Sequence, residues 1–335
     1  MDRIAFIIGE YFIYWNSIIL VLGAVVAITL FLSFYLRNGE NGRAAVLLVP
    51  MAVIVSLVLS RLIHWYCRAD SYASMGAAMT DYSRGGFALM GVFFGCAAVA
   101  GLLSLLGIVK NLPETFDCMT LAGGAGIAVG RLACLFTSAD RGDIIAGVTT
   151  LPLVYPAANA VTGEPEYRLA TFMLQAMITG AIFLVLTVFY LRGKGKGTLR
   201  DGDTALLFLL CYGASQIVLD STRYDSLFFR SNGFISIVQI LGLLAVLLPI
   251  VMFSIRMFRV LRWRKWFLGL WIPMAALLGV GGYMEYHVQR HGDQALFAYS
   301  FMSLCLILVI GLTLVIRRFA VEKETKLLLV KNNNL

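Results

Sequence analysis

The sequence predicts an all-α polytopic membrane protein with about nine transmembrane helices. Three observations predict it. Long apolar stretches cover most of the 335 residues. Apolar side chains make up 60% of the chain and charged ones 14%, with a mean hydropathy of +0.84, outside the range of water-soluble domains. Every lysine falls on one side of the apolar stretches. In lipid only helices and closed barrels satisfy their own backbone groups, and runs near 20 residues suit helices rather than short alternating strands.

Taken in order, the expected spans are 14–36, 45–67, 86–108, 116–136, 169–191, 204–221, 234–255, 266–286 and 298–316. The first is an apolar run closed by Arg37, and the second runs up to Arg68 with Arg61 near its end. The third and fourth are rich in glycine: Gly85, Gly86, Gly91 and Gly95, then Gly123, Gly124, Gly126 and Gly130. The four-residue spacings Gly91/Gly95 and Gly126/Gly130 let membrane helices approach backbone to backbone. The fifth is stopped by Arg192 and Lys194. The sixth carries Gln216 and Asp220 on one face, with Arg223 just beyond, at spacings of four and three residues. Gln239 is an isolated amide in the seventh, suited to an interhelical hydrogen bond. The ninth ends at Arg317 and Arg318. The N-terminus lacks a basic n-region and a small-residue cleavage site, so the first span reads as an uncleaved anchor.

Charge orients the spans. Arg37, Arg43, Lys110, Arg192, Lys194, Lys196, Arg200, Arg256, Arg259, Arg262, Arg264, Lys265, Arg317, Arg318, Lys323, Lys326 and Lys331 all lie on alternate connections. The positive-inside rule makes those connections cytoplasmic, with the N-terminus outside and the C-terminus inside. The net charge of +8 is then topology and attraction to anionic lipid, and no nucleic-acid partner is implied. Six cysteines form no framework, though Cys67 and Cys134 sit near outer helix ends, and His64, His287 and His291 are too scattered for a metal motif.

The opposite face carries arginines and no lysine: Arg3, Arg61, Arg68, Arg84, Arg131, Arg141, Arg168, Arg223, Arg230 and Arg290. Arginine's planar fork grips phosphate oxygens in pairs, and its weak hydration tolerates partial burial. Arg131 lies about five residues inside its helix end, roughly 8 Å deep by helical rise. Snorkelling explains any one of these residues, but a set on one leaflet points to a function. The longest outer connection, 137–168, holds Asp140, Arg141, Gly142 and Asp143. Its β-prone stretch from Thr149 to Pro156 reads as a small cap over the helix ends.

In its motifs the chain resembles the bacterial prolipoprotein diacylglyceryl transferase family, in order through roughly residues 10 to 258. Ile13-Tyr14-Trp15 resembles the family's opening of its first helix, and Ser60-Arg61-Leu62 its arginine motif. Gly85-Gly86-Phe87-Ala88-Leu89-Met90-Gly91 corresponds to a pattern of two glycines, three mostly apolar residues, histidine or tyrosine, and glycine. Gly130-Arg131-Leu132-Ala133-Cys134-Leu135-Phe136 resembles the glycine-arginine signature, which ends in glycine where this chain has Gly142. Tyr212-Gly213 with Asp220 and Arg223, and then Gln239-Ile240-Leu241, resemble the last two motifs.

The resemblance implies transfer of a diacylglyceryl group from phosphatidylglycerol to the lipobox cysteine of a prolipoprotein at the bacterial plasma membrane, with no cofactor. It implies catalytic roles for Arg131, Asp220 and Arg223. Arg61, Gly85, Gly86, Met90, Gly130, Gly142, Tyr212, Gln216 and Gln239 would bind substrate. It also implies a seven-helix core in 1–258, including the cap, and two added helices with a cytoplasmic tail in 259–335. The chain departs from the family at several places. Met90 stands where the family has histidine or tyrosine and cannot transfer a proton. Asn16 replaces a tyrosine, Gln216 an arginine, and Cys134 and Thr137 the signature asparagines, while 168–171 keeps mainly Arg168. General acid–base groups contribute about 10²–10⁴-fold, so these changes leave a second reading open: a non-catalytic phospholipid-binding or scaffold protein on the same fold. A transporter would need an internal repeat with paired broken helices, and none is evident.

Overall fold

The computed structural model describes residues 4–81, 86–137, 139–144, 153–158, 162–229, 232–261, 265–291 and 294–332. Arg3, Arg84, Gly85, Arg230, Arg262, Arg264 and residues 149–152 lie outside the described residues. Ten helices carry the chain among those described: α1 (Trp15–Arg37), α2 (Gly42–Cys67), the short α3 (Met75–Thr80), α4 (Leu89–Leu105), α5 (Leu112–Arg131), α6 (Thr171–Gly195), α7 (Asp203–Ser221), α8 (Ile237–Leu261), α9 (Leu268–His291) and α10 (Ala295–Asn332). Eight of them are long and apolar enough to cross a membrane, and α4 is a shorter apolar helix of 17 residues. The chain is a polytopic helical membrane protein.

The long helices start within four residues of the expected spans. The local signals explain most boundaries. Asn111 caps α5 by accepting from the Glu114 amide at 3.3 Å, and Pro113 sits in the first turn, where its missing N–H costs nothing. Asn41 caps α2. Gly197, at φ +63°, takes the left-handed conformation that closes α6. The third expected span, 86–108, is trimmed at both ends. The amide of Ala88 is diverted to the Ser60 carbonyl (3.1 Å), and the chain turns at Gly107. Three antiparallel hairpins lie outside the helices: β1 (Ile4–Ile8) with β2 (Tyr11–Tyr14), β3 (Val154–Ala158) with β4 (Pro165–Leu169), and β5 (Phe228–Phe229) with β6 (Asn232–Ser236). The second contains the described part of the expected β-prone cap.

The described chain divides into two compact units, residues 1–208 with 222–238 and residues 209–221 with 239–335. This packing division is cut along a different line from the 258/259 boundary, which marks only where the motif resemblance stops.

In the first unit, glycine brings two helix pairs together. A side chain at Gly91 would drive into the α2 backbone at Ser60, and one at Gly95 would meet the Ser56 hydroxyl at 2.5 Å and its backbone at 2.6 Å. Gly126 meets Gly23 and Ala27 of α1 in the same way. Phe31, Tyr35, Leu48, Val99, Leu103 and Cys118 fill the core among α1, α2, α4 and α5. At the start of α5, Glu114 is 2% exposed and gathers Asn38 (2.5 Å), the Tyr190 hydroxyl and the Lys194 ammonium. Lys194 also pairs with Asp201 at 2.7 Å, which accepts from Asn111 at 2.7 Å. Asp117 accepts from the Gly202 and Ala205 amides at 2.7 Å each, capping the beginning of α7.

In the second unit, Gly213 of α7 lies against Gly242 and Ala245 of α8. Phe258, Phe267 and Trp271 cluster at the turn between α8 and α9, where Trp271 donates to Ser254 at 3.1 Å. The hydroxyl of Tyr299 on α10 donates to the Ser221 carbonyl at the end of α7, 3.2 Å away.

Candidate functional site

Arg131 is the last residue of α5, and residues 132–136 continue it as a tighter 3₁₀ turn. The chain then folds back through Asp140, whose φ of +55° is strained for a residue with a side chain. That turn delivers the Asp140 carboxylate to Arg131, which it binds directly. Arg223 reaches the other oxygen at 2.5 Å. The Cys134 thiol donates to Asp140 at 3.4 Å. Two guanidinium groups distant in sequence are thus held on one carboxylate, all three side chains being 12–14% exposed.

A second acid extends the array. Asp225 accepts from Arg223 Nε at 3.0 Å and from the Asp140 backbone amide at 2.9 Å. Its carbonyl accepts from Arg68, beyond the end of α2, at 3.0 Å. Burial works against ionisation of Asp140, but the charges of Arg131 and Arg223 outweigh it and bring the carboxyl down to about 2. The acid is therefore ionised at neutral pH. Arg131 pairs with Asp140, and Arg223 pairs with both Asp140 and Asp225, so acidic partners fix the orientation of both forks.

Gly142 supports this geometry. It bridges Arg223 in a short antiparallel contact, and a Cβ there would meet the Thr171 hydroxyl and the Thr222 carbonyl at 2.8 Å. Thr171 and Thr222 are hydrogen-bonded at 3.1 Å, fastening the start of α6 to the Arg223 segment. Arg168 pairs with Glu166 at 2.9 Å, donates to the Gly142 carbonyl at 3.3 Å and lies over the Tyr224 ring at 4.5 Å. Arg141 is buried, donates to the Thr137 and Pro156 carbonyls and lies over Tyr155 at 4.9 Å. These two arginines hold the cap together.

Arg61 has different surroundings from Arg131 and Arg223. It is 1% exposed, and its guanidinium donates to the carbonyls of Ala78 (2.5 Å), Asp81 and Gly86 (2.8 Å) between Tyr72 and Phe87. Gly86 adopts φ +90°, and a Cβ there would strike Arg61 at 2.6 Å. In this resting arrangement Arg61 organises the α2–α4 connection. Met90 lies half-buried in the first turn of α4, and Gly130 one residue before Arg131.

The remaining candidates belong to the second unit. Tyr212, Gln216 and Asp220 are buried along α7, and Gln216 donates to Ser215 at 3.4 Å. Gln239 donates to Glu285 of α9 at 2.7 Å and to the Ile217 carbonyl at 3.5 Å. Sequence reading placed Asp140 in the cap without a site role, and left out Asp225 and Glu285 as site residues. A lone carboxylate inside an apolar span is costly without a partner, and that signal alone marks Glu285.

Comparison with known proteins agrees with the motifs. Residues 3–255 match the family model described as prolipoprotein diacylglyceryl transferase. The phosphatidylglycerol–prolipoprotein diacylglyceryl transferase of Lactococcus lactis subsp. cremoris is 26% identical over 256 residues, covering 76% of this chain and 95% of the relative. The enzymes of that name from Streptococcus mutans and Bacillus licheniformis are each 23% identical, covering 76% and 77% of this chain and 95% and 94% of the relatives. With three quarters of its length matched, the chain belongs to the prolipoprotein diacylglyceryl transferase family, a family of membrane transferases.

Proposed function

We propose that this protein transfers the diacylglyceryl group of phosphatidylglycerol to the cysteine thiol of a prolipoprotein lipobox, at the outer leaflet of a bacterial plasma membrane. The observation that carries this reading is the Arg131–Asp140–Arg223 array, which holds two phosphate-gripping forks on one ionised acid. In the reaction, a carbon–sulfur bond forms at the glyceryl carbon as its bond to the phosphate oxygen breaks. The electron pair leaves on the phosphate, and the thiol proton passes to the departing glycerol phosphate or to water. Arg131 and Arg223 stabilise the charge that grows on that phosphate, an effect worth about 10²–10³-fold for one well-placed donor. Their positive field also favours the thiolate that attacks.

On this reading Asp220 positions polar groups of the substrate. By the family resemblance, substrate-binding roles fall to Arg61, Gly85, Gly86, Met90, Gly130, Gly142, Tyr212, Gln216 and Gln239. The chain crosses the membrane nine times with its N-terminus outside and its C-terminus in the cytoplasm. Residues 1–258 are the transferase core, and 259–335 add two spans and a cytoplasmic tail.

The test is expression in cells depleted of their own transferase, followed by an assay of lipid attachment to a prolipoprotein. Attachment that disappears in Arg131→Ala supports the reading. A well-folded protein with no product overturns it. Met90 and Gln216, which stand where the family has proton-transferring or charged groups, favour the alternative of binding without transfer. That alternative predicts phosphatidylglycerol binding weakened by Arg131→Ala and no product from either protein.

A further inference from the structure

His64 is the single histidine in residues 3–255, the part of the chain that matches the family model. It lies half-buried near the end of α2, between Arg61 and Arg68. Its Nδ1 is 3.2 Å from the Tyr72 hydroxyl, and the two rings meet edge to face. The Arg61 guanidinium lies over the same Tyr72 ring at 5.4 Å. Gly86 closes this group. A Cβ there would meet Arg61 Nη1 at 2.6 Å and both His64 Cε1 and the Tyr72 hydroxyl at 2.7 Å. Three polar side chains thus converge on a backbone point that carries no side chain of its own.

The same end of α2 reaches the arginine array. Arg68 donates its backbone amide to the His64 carbonyl at 3.0 Å and its guanidinium to the Asp225 carbonyl at 3.0 Å. Asp225 in turn accepts from Arg223 and from the Asp140 amide. The four residues from His64 to Arg68 are about 6 Å of helical rise, and all these groups belong to the first compact unit. The transfer chemistry needs a base near that array. A free cysteine is mostly protonated at neutral pH, and its proton must leave as the carbon–sulfur bond forms. Asp140 is a poor acceptor, because its two arginines hold its carboxyl at about 2. The Met90 thioether is no base. Imidazole is the side chain suited to proton exchange near neutral pH.

We propose that His64, oriented by Tyr72, accepts the proton of the incoming cysteine thiol during transfer. This role rests on the transferase reading above and adds a proton path to it. When Nδ1–H donates to the Tyr72 oxygen, the ring lone pair stands on Nε2, which is then the accepting atom. Nε2 takes the S–H proton as the sulfur electron pair forms the bond to the glyceryl carbon. The carbon–oxygen pair leaves on the phosphate. The imidazolium then returns its proton to the departing glycerol phosphate, directly or through water, and the neutral ring is restored.

The test is transfer from labelled phosphatidylglycerol to a lipobox peptide by the purified full chain in detergent micelles. His64→Ala should lower kcat by about 10²-fold or more, with KM for the lipid little changed. Added imidazole should restore part of the His64→Ala rate and none of the Arg131→Ala rate, a distinction that a merely structural histidine would not produce. Tyr72→Phe should cost less than His64→Ala, since it loosens the ring without removing the base. A His64→Ala rate within a few-fold of wild type overturns the role of His64 and leaves the transferase reading intact. So does a loss that imidazole leaves unrestored. If His64→Ala does not fold, His64→Gln, which keeps a donor towards Tyr72 but no base, must show the same loss of kcat at an unchanged unfolding midpoint. Wild-type protein that forms no product removes the transferase reading, and the proton path with it.

Discussion

Helix α5 carries a polar cluster at each end, Glu114 near its start and Arg131 at its finish, roughly 25 Å apart by helical rise. Both clusters are largely buried, and both join residues more than 75 positions apart. They differ in the groups that meet at each acid. At the Glu114 end one carboxylate meets an amide, a phenol and an ammonium, and the ammonium meets a second acid. Each partner there is a compact group directed at another protein group. At the Arg131 end two planar guanidinium forks share Asp140, and Arg223 pairs with Asp225 as well, on a backbone turn strained at Asp140. The first arrangement ties α1, α5 and α6 together. The second keeps a region of directed positive charge at a helix end. Burial and pairing alone do not separate a structural knot from a site. Like charges gathered on one acid and backbone strain do.

The sharpest way to break this comparison is Arg131→Ala. On the proposed reading it lowers kcat/KM for transfer by about 10²–10³-fold, while Arg223 still pairs with Asp140, so the loss of stability is smaller than that of Asp140→Asn. A variant that loses stability instead of activity would make this end a structural knot as well. Glu114→Ala should do the reverse. Removing one partner of a buried ion pair leaves Lys194 and Tyr190 without their shared acceptor, at a cost of about 3 kcal/mol. The checks are a lowered unfolding midpoint in detergent and an unchanged rate per folded molecule.

Asp140→Asn probes the electrostatics. The folded carboxyl titrates at about 2, below an ordinary aspartate near 4. Its stabilising contribution is therefore complete above pH ~4 and lost as pH falls from about 4 towards about 2. The variant should be less stable at neutral pH by on the order of 2 kcal/mol and should lack that acid-sensitive step. An acid unfolding curve identical to wild type would refute the assignment. Cys134→Ser should have the smallest effect, under about 1 kcal/mol in stability and within a few-fold in rate, because the serine hydroxyl keeps a donor towards Asp140. A rate loss like that of Arg131→Ala would mean the thiol itself takes part.

Much of the architecture was legible before any coordinates. The apolar runs marked each long helix, and glycine spacing marked α4 and α5 as closely approached helices, while their partners α2 and α1 emerge only in the structure. The site was legible in part. Arg131, Gly142 and Arg223 were singled out by residue type and motif, and they lie together. Arg61 was grouped with them because its charge and position resemble theirs. Its donors instead go to the carbonyls of a chain reversal that hydropathy does not reveal. Asp140 looked like one more loop acid, since its importance depends on a positive φ and on the approach of Arg223 from 83 residues away.

The sequence by itself determined that the chain is a helical membrane protein of the diacylglyceryl transferase family, because hydropathy, charge bias and motif order are written locally along it. Only the tertiary structure decided which charges share a partner. Ion pairing depends on distances of a few ångströms between segments far apart in sequence, and that information exists only once the helices have closed on one another.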